Sequence, residues 1–310
     1  MKKITVKEKN IDQRLDVFLS GELRVSRSVA QKYIKGGLVK VNNKPANSHY
    51  QTKAGDLIAI DNKTKTSKGK EDKKYLPEVP IIKETSDYIV INKPAGVLMH
   101  GTENDSRLTL VDWLLKKYPK ISKIGEDPAR PGIVHRLDKD VSGLVVIAKT
   151  QKFFDEIKKQ FQERTVQKHY TALAYGENFP NEGEIRFKME RSSKGYRMAA
   201  KPLNQEGKLA ITEFSVIKCF YNYTLLSLKI KTGRTHQIRA SLSAYNHSLV
   251  GDDLYGTLKD KIHNKKFKLA RVFLVATDLS FTDLNGKRQS FSVDLPKELQ
   301  KVLESLKVKH

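Results

Sequence analysis

Apolar residues recur along this chain with two different periods, and the changes of period mark its elements. In IDQRLDVFLSGEL, Leu15, Phe18 and Leu19 fall at three- and four-residue steps, which predicts a helix. Ser26 then stands as an N-cap for a second helix with Val29, Tyr33 and Ile34 on one side, stopped by Gly36 and Gly37. Leu38 to Val41 and Leu57 to Ile60 are short apolar runs beside the turn residues Asn42, Asn43, Gly55 and Asp56, which predicts two strands. Residues 1–61 are therefore expected to form a small α/β module. The stretch DNKTKTSKGKEDKK has no apolar residue, so residues 62–79 are expected to be a flexible, Lys-rich linker, with a second domain over 80–305.

The second domain mixes the two periods. Tyr88 to Ile91 predicts a strand that Pro94 and Gly96 break. Thr109 caps a predicted helix that turns Leu110, Trp113, Leu114 and Tyr118 inward, and Thr150 caps another with Phe154, Ile157 and Phe161 on its inner face. HYTALAYG, AITEFSVI, YTLLSLKIKTG and LVATDLSFT all read as strands. The expected class is α+β, with a large mixed, mostly antiparallel sheet flanked by helices. No internal repeat and no nucleotide-binding glycine loop interrupts this pattern.

Charge changes the picture more than composition does. Lys and Arg total 58 against 35 Asp and Glu, a formal charge of +23 over 310 residues. Such a field favours a polyanionic partner, nucleic acid first and anionic membrane second. The N-terminal lysines precede no apolar signal region, and the longest apolar run, Leu144 to Ala148, is far too short to span a membrane, so a cytoplasmic protein with no membrane partner is expected. Cys219 is the only cysteine, which leaves no disulfide framework and no cysteine metal site.

Residues 131–143, PGIVHRLDKDVSG, place Asp138 and Asp140 beside Arg136 and Lys139, after an apolar pair and before a serine-glycine turn. Residue types alone leave two readings: a solvated turn whose charges pair with each other, or a carboxylate held ionised by a cation and ready to act as a nucleophile.

Larger patterns add to this. RLDVFL, SRSVAQKYIKGGLVKVNNK and AGDLIAI make Arg14 to Ile60 resemble an S4 RNA-binding domain, with Arg14, Arg24, Arg27 and Lys32 as cations facing RNA. Behind it, NKPAGVLMHG (92–101), HRLD (135–138), KHYTALAYG (168–176), TGRTHQIR (232–239) and GDDLYG (251–256) resemble, in order and spacing, the RluA/RluD-type pseudouridine synthases, which isomerise uridines in structured RNA. That resemblance covers residues 80 to 300, and His135 at the head of HRLD favours this family over the small-subunit synthases.

The resemblance implies that Asp138 is the nucleophile. Turning uridine into pseudouridine breaks N1–C1′ and bonds C5 to C1′ without net redox change or hydrolysis, so no cofactor is expected; the carboxylate can attack C1′ or C6. A guanidinium in contact would hold it ionised, and the resemblance makes Arg234 the first candidate and Arg239 the second. Tyr170 is implied to stack on the target base, against the plainer reading of a packing side chain in a strand. A uridine in folded RNA must be flipped out to be reached, and Arg136 is the residue implied to fill the gap, with His135 beside it at the RNA. As metal ligands His135 and His236 lack partners, so no metal site is expected.

The resemblance further implies large-subunit ribosomal RNA, or its precursor particle, as the substrate of a monomeric enzyme. The competing reading from another class is a non-catalytic RNA-binding or ribosome-assembly factor, against which Asp138, Tyr170 and Arg234 argue. A glycosidase would need a second, opposed carboxylate, and Asp140 is too near Asp138 in sequence to supply it. Two positions depart from the family pattern: Val141 stands where threonine is usual, and Val275 where histidine is common.

Overall fold

The computed structural model describes residues 2–23, 30–31, 33–34, 36–60, 78–101, 108–192, 195 and 197–309. The chain divides into two compact units, 1–73 and 74–310. Ser26, Val29, Arg24, Arg27, Lys32 and all but the last two residues of the expected linker lie outside the described residues.

In the first unit, helix α1 (Leu15–Leu23) packs on a four-stranded antiparallel sheet of β1 (Lys2–Thr5), β2 (Val39–Val41), β3 (Lys44–Pro45) and β4 (Leu57–Ile60), in the order β1-β4-β2-β3. Leu15, Phe18 and Leu19 are buried with Ala30, Ile34, Val39, Ile58 and Ile60, as their spacing predicts. Strand β1 is an addition: KKIT is too short and too charged to announce itself, and it forms by pairing with β4.

The second unit is built on β5 (Ile81–Glu84), β6 (Tyr88–Lys93), β7 (Ser142–Ala148), β8 (Gln167–Tyr175), β9 (Glu182–Arg191), β10 (Met198–Lys201), β11 (Lys208–Phe220), β12 (Tyr223–Ile230), β13 (Leu274–Thr282) and β14 (Arg288–Ser292). The strand order is β10-β9-β11-β12-β8-β13-β7-β6-β5, with β14 on β13. Only the β13·β7 junction is parallel. There Gly143 is a geometric necessity, because a Cβ on it would lie 2.3 Å from the Ala276 carbonyl oxygen, at a φ of +123°. The α+β class with a large mixed, mostly antiparallel sheet is thus observed.

Every residue of β7 is buried. Val145 and Ile147 face the core that holds Trp113, Tyr170 and Leu226, while Leu144, Val146 and Ala148 face a second core of Tyr88, Phe153, Phe154 and Phe281. Helix α2 (Leu110–Lys117) covers the first face from a capping box in which Thr109 and Asp112 bond each other's backbone N–H. Helix α3 (Gln151–Gln162) covers the second, with the Thr150 hydroxyl accepting from Phe153 N. Both caps are as expected from the sequence. Helices α4 (Gln237–Ala244), α5 (Leu258–Phe267) and α6 (Lys297–Glu304) complete the unit. Val141 and Val275, the two departures, are both buried among apolar neighbours, where a hydroxyl or an imidazole would need a partner.

Candidate active site

The loop entering β7 turns alternate side chains in opposite directions. Leu137 and Val141 are buried in the core, while Asp138 between them keeps 15% of its side chain exposed to a cleft of about 610 Å³. Lys93, at the end of β6, fixes the loop from behind. It is fully buried, and its Nζ donates to the carbonyls of Pro94 (2.7 Å), Val97 (2.9 Å) and Lys139 (3.1 Å). The Lys139 carbonyl also accepts from Gly96 N, so NKPAG and HRLDKD are tied together one residue from Asp138.

The cation at Asp138 is Arg239, not Arg234. Gln237, buried at the start of α4, accepts from the Thr232 hydroxyl and Arg234 N and donates to Ile211 O and the Thr212 hydroxyl, which fixes the TGRTH turn. His236 caps α4 in the left-handed region (φ 53°), and one turn of helix later Arg239 points inward, 7% exposed. Its Nε and Nη2 donate to Asp252 at 2.7 and 2.9 Å, and its remaining Nη1 reaches Asp138 Oδ2 at 3.4 Å. A planar fork can serve two carboxylates in this way, whereas a lysine ammonium could not. Arg234 comes before the helix and stays exposed, with Nε donating to Leu209 O at 3.2 Å. Burial lowers the Arg239 pKa, but its hydrogen bonds to Asp252 and Asp138 and the charges of both carboxylates together raise it, so it stays a cation.

A second line of contacts reaches the same carboxylate. The Tyr255 oxygen accepts from Met198 N at 2.8 Å, so its own proton is free to go to His236 Nδ1, 2.9 Å away. With the proton placed so, the N–H of the neutral ring is on Nε2, which faces Asp138 Oδ2 at 3.9 Å. Burial lowers the His236 pKa, which favours the neutral ring.

Tyr170 projects from β8 into the cleft, 5% exposed. Burial first, and the charge of Asp138 second, raise its pKa, so the phenol stays neutral. Its hydroxyl makes no hydrogen bond to a described residue. Arg136 is exposed on the cleft wall and forms no ion pair with any described residue, which sets aside a bridge to Asp138 or Asp140.

Two expected RNA contacts have other occupations. His135 Nε2 accepts from Val146 N at 3.0 Å, its ring stacks on Phe161 at 4.8 Å, and burial holds it neutral, so it braces the loop. Arg14 donates to the fully buried Asp16 at 3.1 and 2.9 Å, because an unpaired carboxylate there would be costly. Arg24, Arg27 and Lys32 lie outside the described residues.

Among the described residues lining the cleft Asp138 is the only carboxylate, against Arg130, Arg136, Arg164, Lys168, Lys229, Lys231, Arg234 and Arg239. Burial brings Lys168 down to about 8, and its Nζ lies over the Phe161 ring rather than beside an acid. Among the described residues no group of three His, Cys, Asp or Glu could hold a metal ion. Sequence reasoning gave no role to Lys93, Gln237, Asp252 or Tyr255. Asp252 and Tyr255 sit in GDDLYG and Lys93 in NKPAG, both already marked as motifs; their partners lie too far along the chain to be read from spacing.

Lys93 yields a prediction. Burial and Arg271 push its pKa down to about 7, below the unfolded value near 10.4, so between those values the folded state binds fewer protons than the unfolded one. Stability should rise with pH over that range, and Lys93→Met should flatten the rise. The same change releases the loop behind Asp138, and activity should fall roughly 10²-fold, as for other small misplacements of a reacting group. Thermal unfolding from pH 7 to 10 and single-turnover rates check both parts.

The family model for RNA pseudouridylate synthase matches residues 87–244, and that for the S4 domain residues 13–58. Ribosomal large subunit pseudouridine synthase D of Yersinia pestis is 39% identical over 259 residues, covering 81% of this chain and 75% of its own. An uncharacterized RNA pseudouridine synthase of Bacillus subtilis (strain 168), YlyB, is 32% identical over 309 residues, covering 98% of this chain and 97% of its own. The solved structure of human RNA pseudouridylate synthase domain containing 4 has the same fold, with a TM-score of 0.58 at 23% identity, over 74% of this chain and 95% of that one.

Proposed function

The chain belongs to the RNA pseudouridylate synthase family, and on that premise we propose that it isomerises uridines of large-subunit ribosomal RNA with Asp138 as the nucleophile. The observation that carries the reading is a partly exposed carboxylate, held by one arm of a buried guanidinium, in a cleft whose other charged side chains, among the described residues, are all cations. The cations suit a polyanion and leave one group to react with it. The substrate is taken from relatives named as ribosomal large subunit pseudouridine synthases.

The flipped uridine lies in the cleft with its base on the Tyr170 ring, and the exposed Arg136 takes its place in the stack. Asp138 attacks C1′ or C6; either way N1–C1′ breaks, the base turns, C5 bonds to C1′, the bond to Asp138 breaks, and the C5 proton is released as N1 takes one up. Arg239 aims Asp138, because Asp252 fixes the rest of its fork. His236 presents an N–H to the same oxygen. The S4 unit adds grip on RNA away from the reacting base.

Release of tritium from ribosomal RNA transcribed with 5-³H-uridine tests this. The full-length protein should release it in proportion to the pseudouridine formed, from naked large-subunit RNA or from its precursor particle. No release from either would overturn the proposed substrate.

A further inference from the structure

Helix α5 has its polarity reversed. Its buried positions are Asp260 and Asn264, while Leu258 (82%) and Ile262 (62%) are exposed. A surface helix ordinarily does the opposite. The inner face is fully satisfied: Asp260 Oδ2 accepts from the Ser248 hydroxyl and Thr257 N, and Asn264 accepts from the Tyr175 hydroxyl and Gly251 N while donating to Asp253. Leu258 and Ile262 therefore do nothing for the fold. They stand one turn apart on the same side of the helix, among Lys259, Lys261, Lys265, Lys266 and Lys268, none of which forms an ion pair with a described residue.

The helix is also joined to the site. Asn264 bonds the backbone of Gly251 and the side chain of Asp253, which flank Asp252, the residue that holds Arg239. A second cavity of about 540 Å³ runs from Asp138 and Arg239 past Gly251, Asp253 and Leu254 to Leu269, just beyond the helix.

We infer that the outer face of α5 is an RNA-docking surface, in which Leu258 and Ile262 pack against bases or riboses near the target uridine and the lysines pair with its flanking phosphates. The inference rests on the proposed RNA substrate and extends it to a second contact region. Charge selects the occupant: five unopposed lysines around two aliphatic side chains match a polyanion with accessible base faces better than they match a neutral protein surface.

The test uses the full-length protein and a ribosomal RNA fragment that it modifies. Leu258→Ser with Ile262→Ser should leave the thermal midpoint unchanged, since both side chains are exposed, and should raise the protein concentration for half-maximal single-turnover rate about tenfold. Lys259→Ala with Lys265→Ala and Lys266→Ala should reduce the slope of log affinity against log salt by about 2 to 3. Rates at saturating protein should stay near wild type in both. Wild-type half-saturation and salt slope in both variants would overturn the inference. So would a loss confined to ribonucleoprotein particles with naked RNA unaffected, which would make the partner a protein. Should the wild-type protein release no tritium, the functional reading fails, and filter binding of the same RNA by the same variants still decides the surface.

Discussion

Asp138→Ala and Asp138→Asn abolish pseudouridine formation, with tritium release falling by a factor on the order of 10⁴ or more, as when a covalent nucleophile is removed. The cleft offers no substitute among the described residues, none of which brings another carboxylate to it. Asparagine fills the same space and can still accept from Arg239, but it carries no charge and does not attack. RNA affinity should stay within a few-fold of wild type in both variants, since the cations around the cleft remain. Filter binding beside single-turnover tritium release separates the two quantities. An alanine variant within tenfold of wild-type activity would contradict the role given to Asp138.

The largest effect on stability should come from Arg239. Asp252 is fully buried, and besides the guanidinium it has only the N–H groups of Leu254 and Tyr255 as partners. Arg239→Met leaves that charge unopposed, at a cost of about 3–5 kcal/mol. For a unit of this size the thermal midpoint should drop by roughly 10 °C. Activity should also fall, because Asp138 loses its cation. Adding Asp252→Leu removes the orphaned charge and should restore much of the midpoint while activity stays low. That split separates a cation acting on Asp138 from one that only holds the fold: equal recovery of stability and rate in the double variant would favour the second. Arg239→Lys keeps a charge but cannot fork, so it should fall between.

The sequence revealed the parts of the molecule whose cause is local. Thr109 and Thr150 cap their helices because capping depends on residues three apart. Leu15, Phe18 and Leu19 mark a buried stripe by spacing alone. Elements whose cause is tertiary were not legible. Helix α4 buries Gln237 and Arg239, so its inner face reads as polar, and α5 reverses the usual pattern outright. Strand β9, EGEIRFKMER, did carry a local signal that the reading passed over, with Ile185, Phe187 and Met189 alternating with charged residues, and it pairs between β10 and β11.

The site divides in the same way. Asp138, Tyr170 and Arg136 line one cleft, as their motifs suggested. The choice between Arg234 and Arg239 could not be made from TGRTHQIR, because it depends on where the helix starts. His236 in the left-handed region and Gln237 beneath the turn decide that Arg239, three residues into α4, is the arginine that turns inward. Asp252 is what makes that arginine useful, and it lies 13 residues away.

Mapping pseudouridines in the large-subunit ribosomal RNA of cells that lack this protein, complemented with either the wild-type chain or Asp138→Ala, tests the central claim most directly. One or more sites should disappear in its absence, return with the wild-type chain and stay unmodified with Asp138→Ala expressed at the same level. Sites that persist without the protein, or that return with the alanine variant, would contradict it.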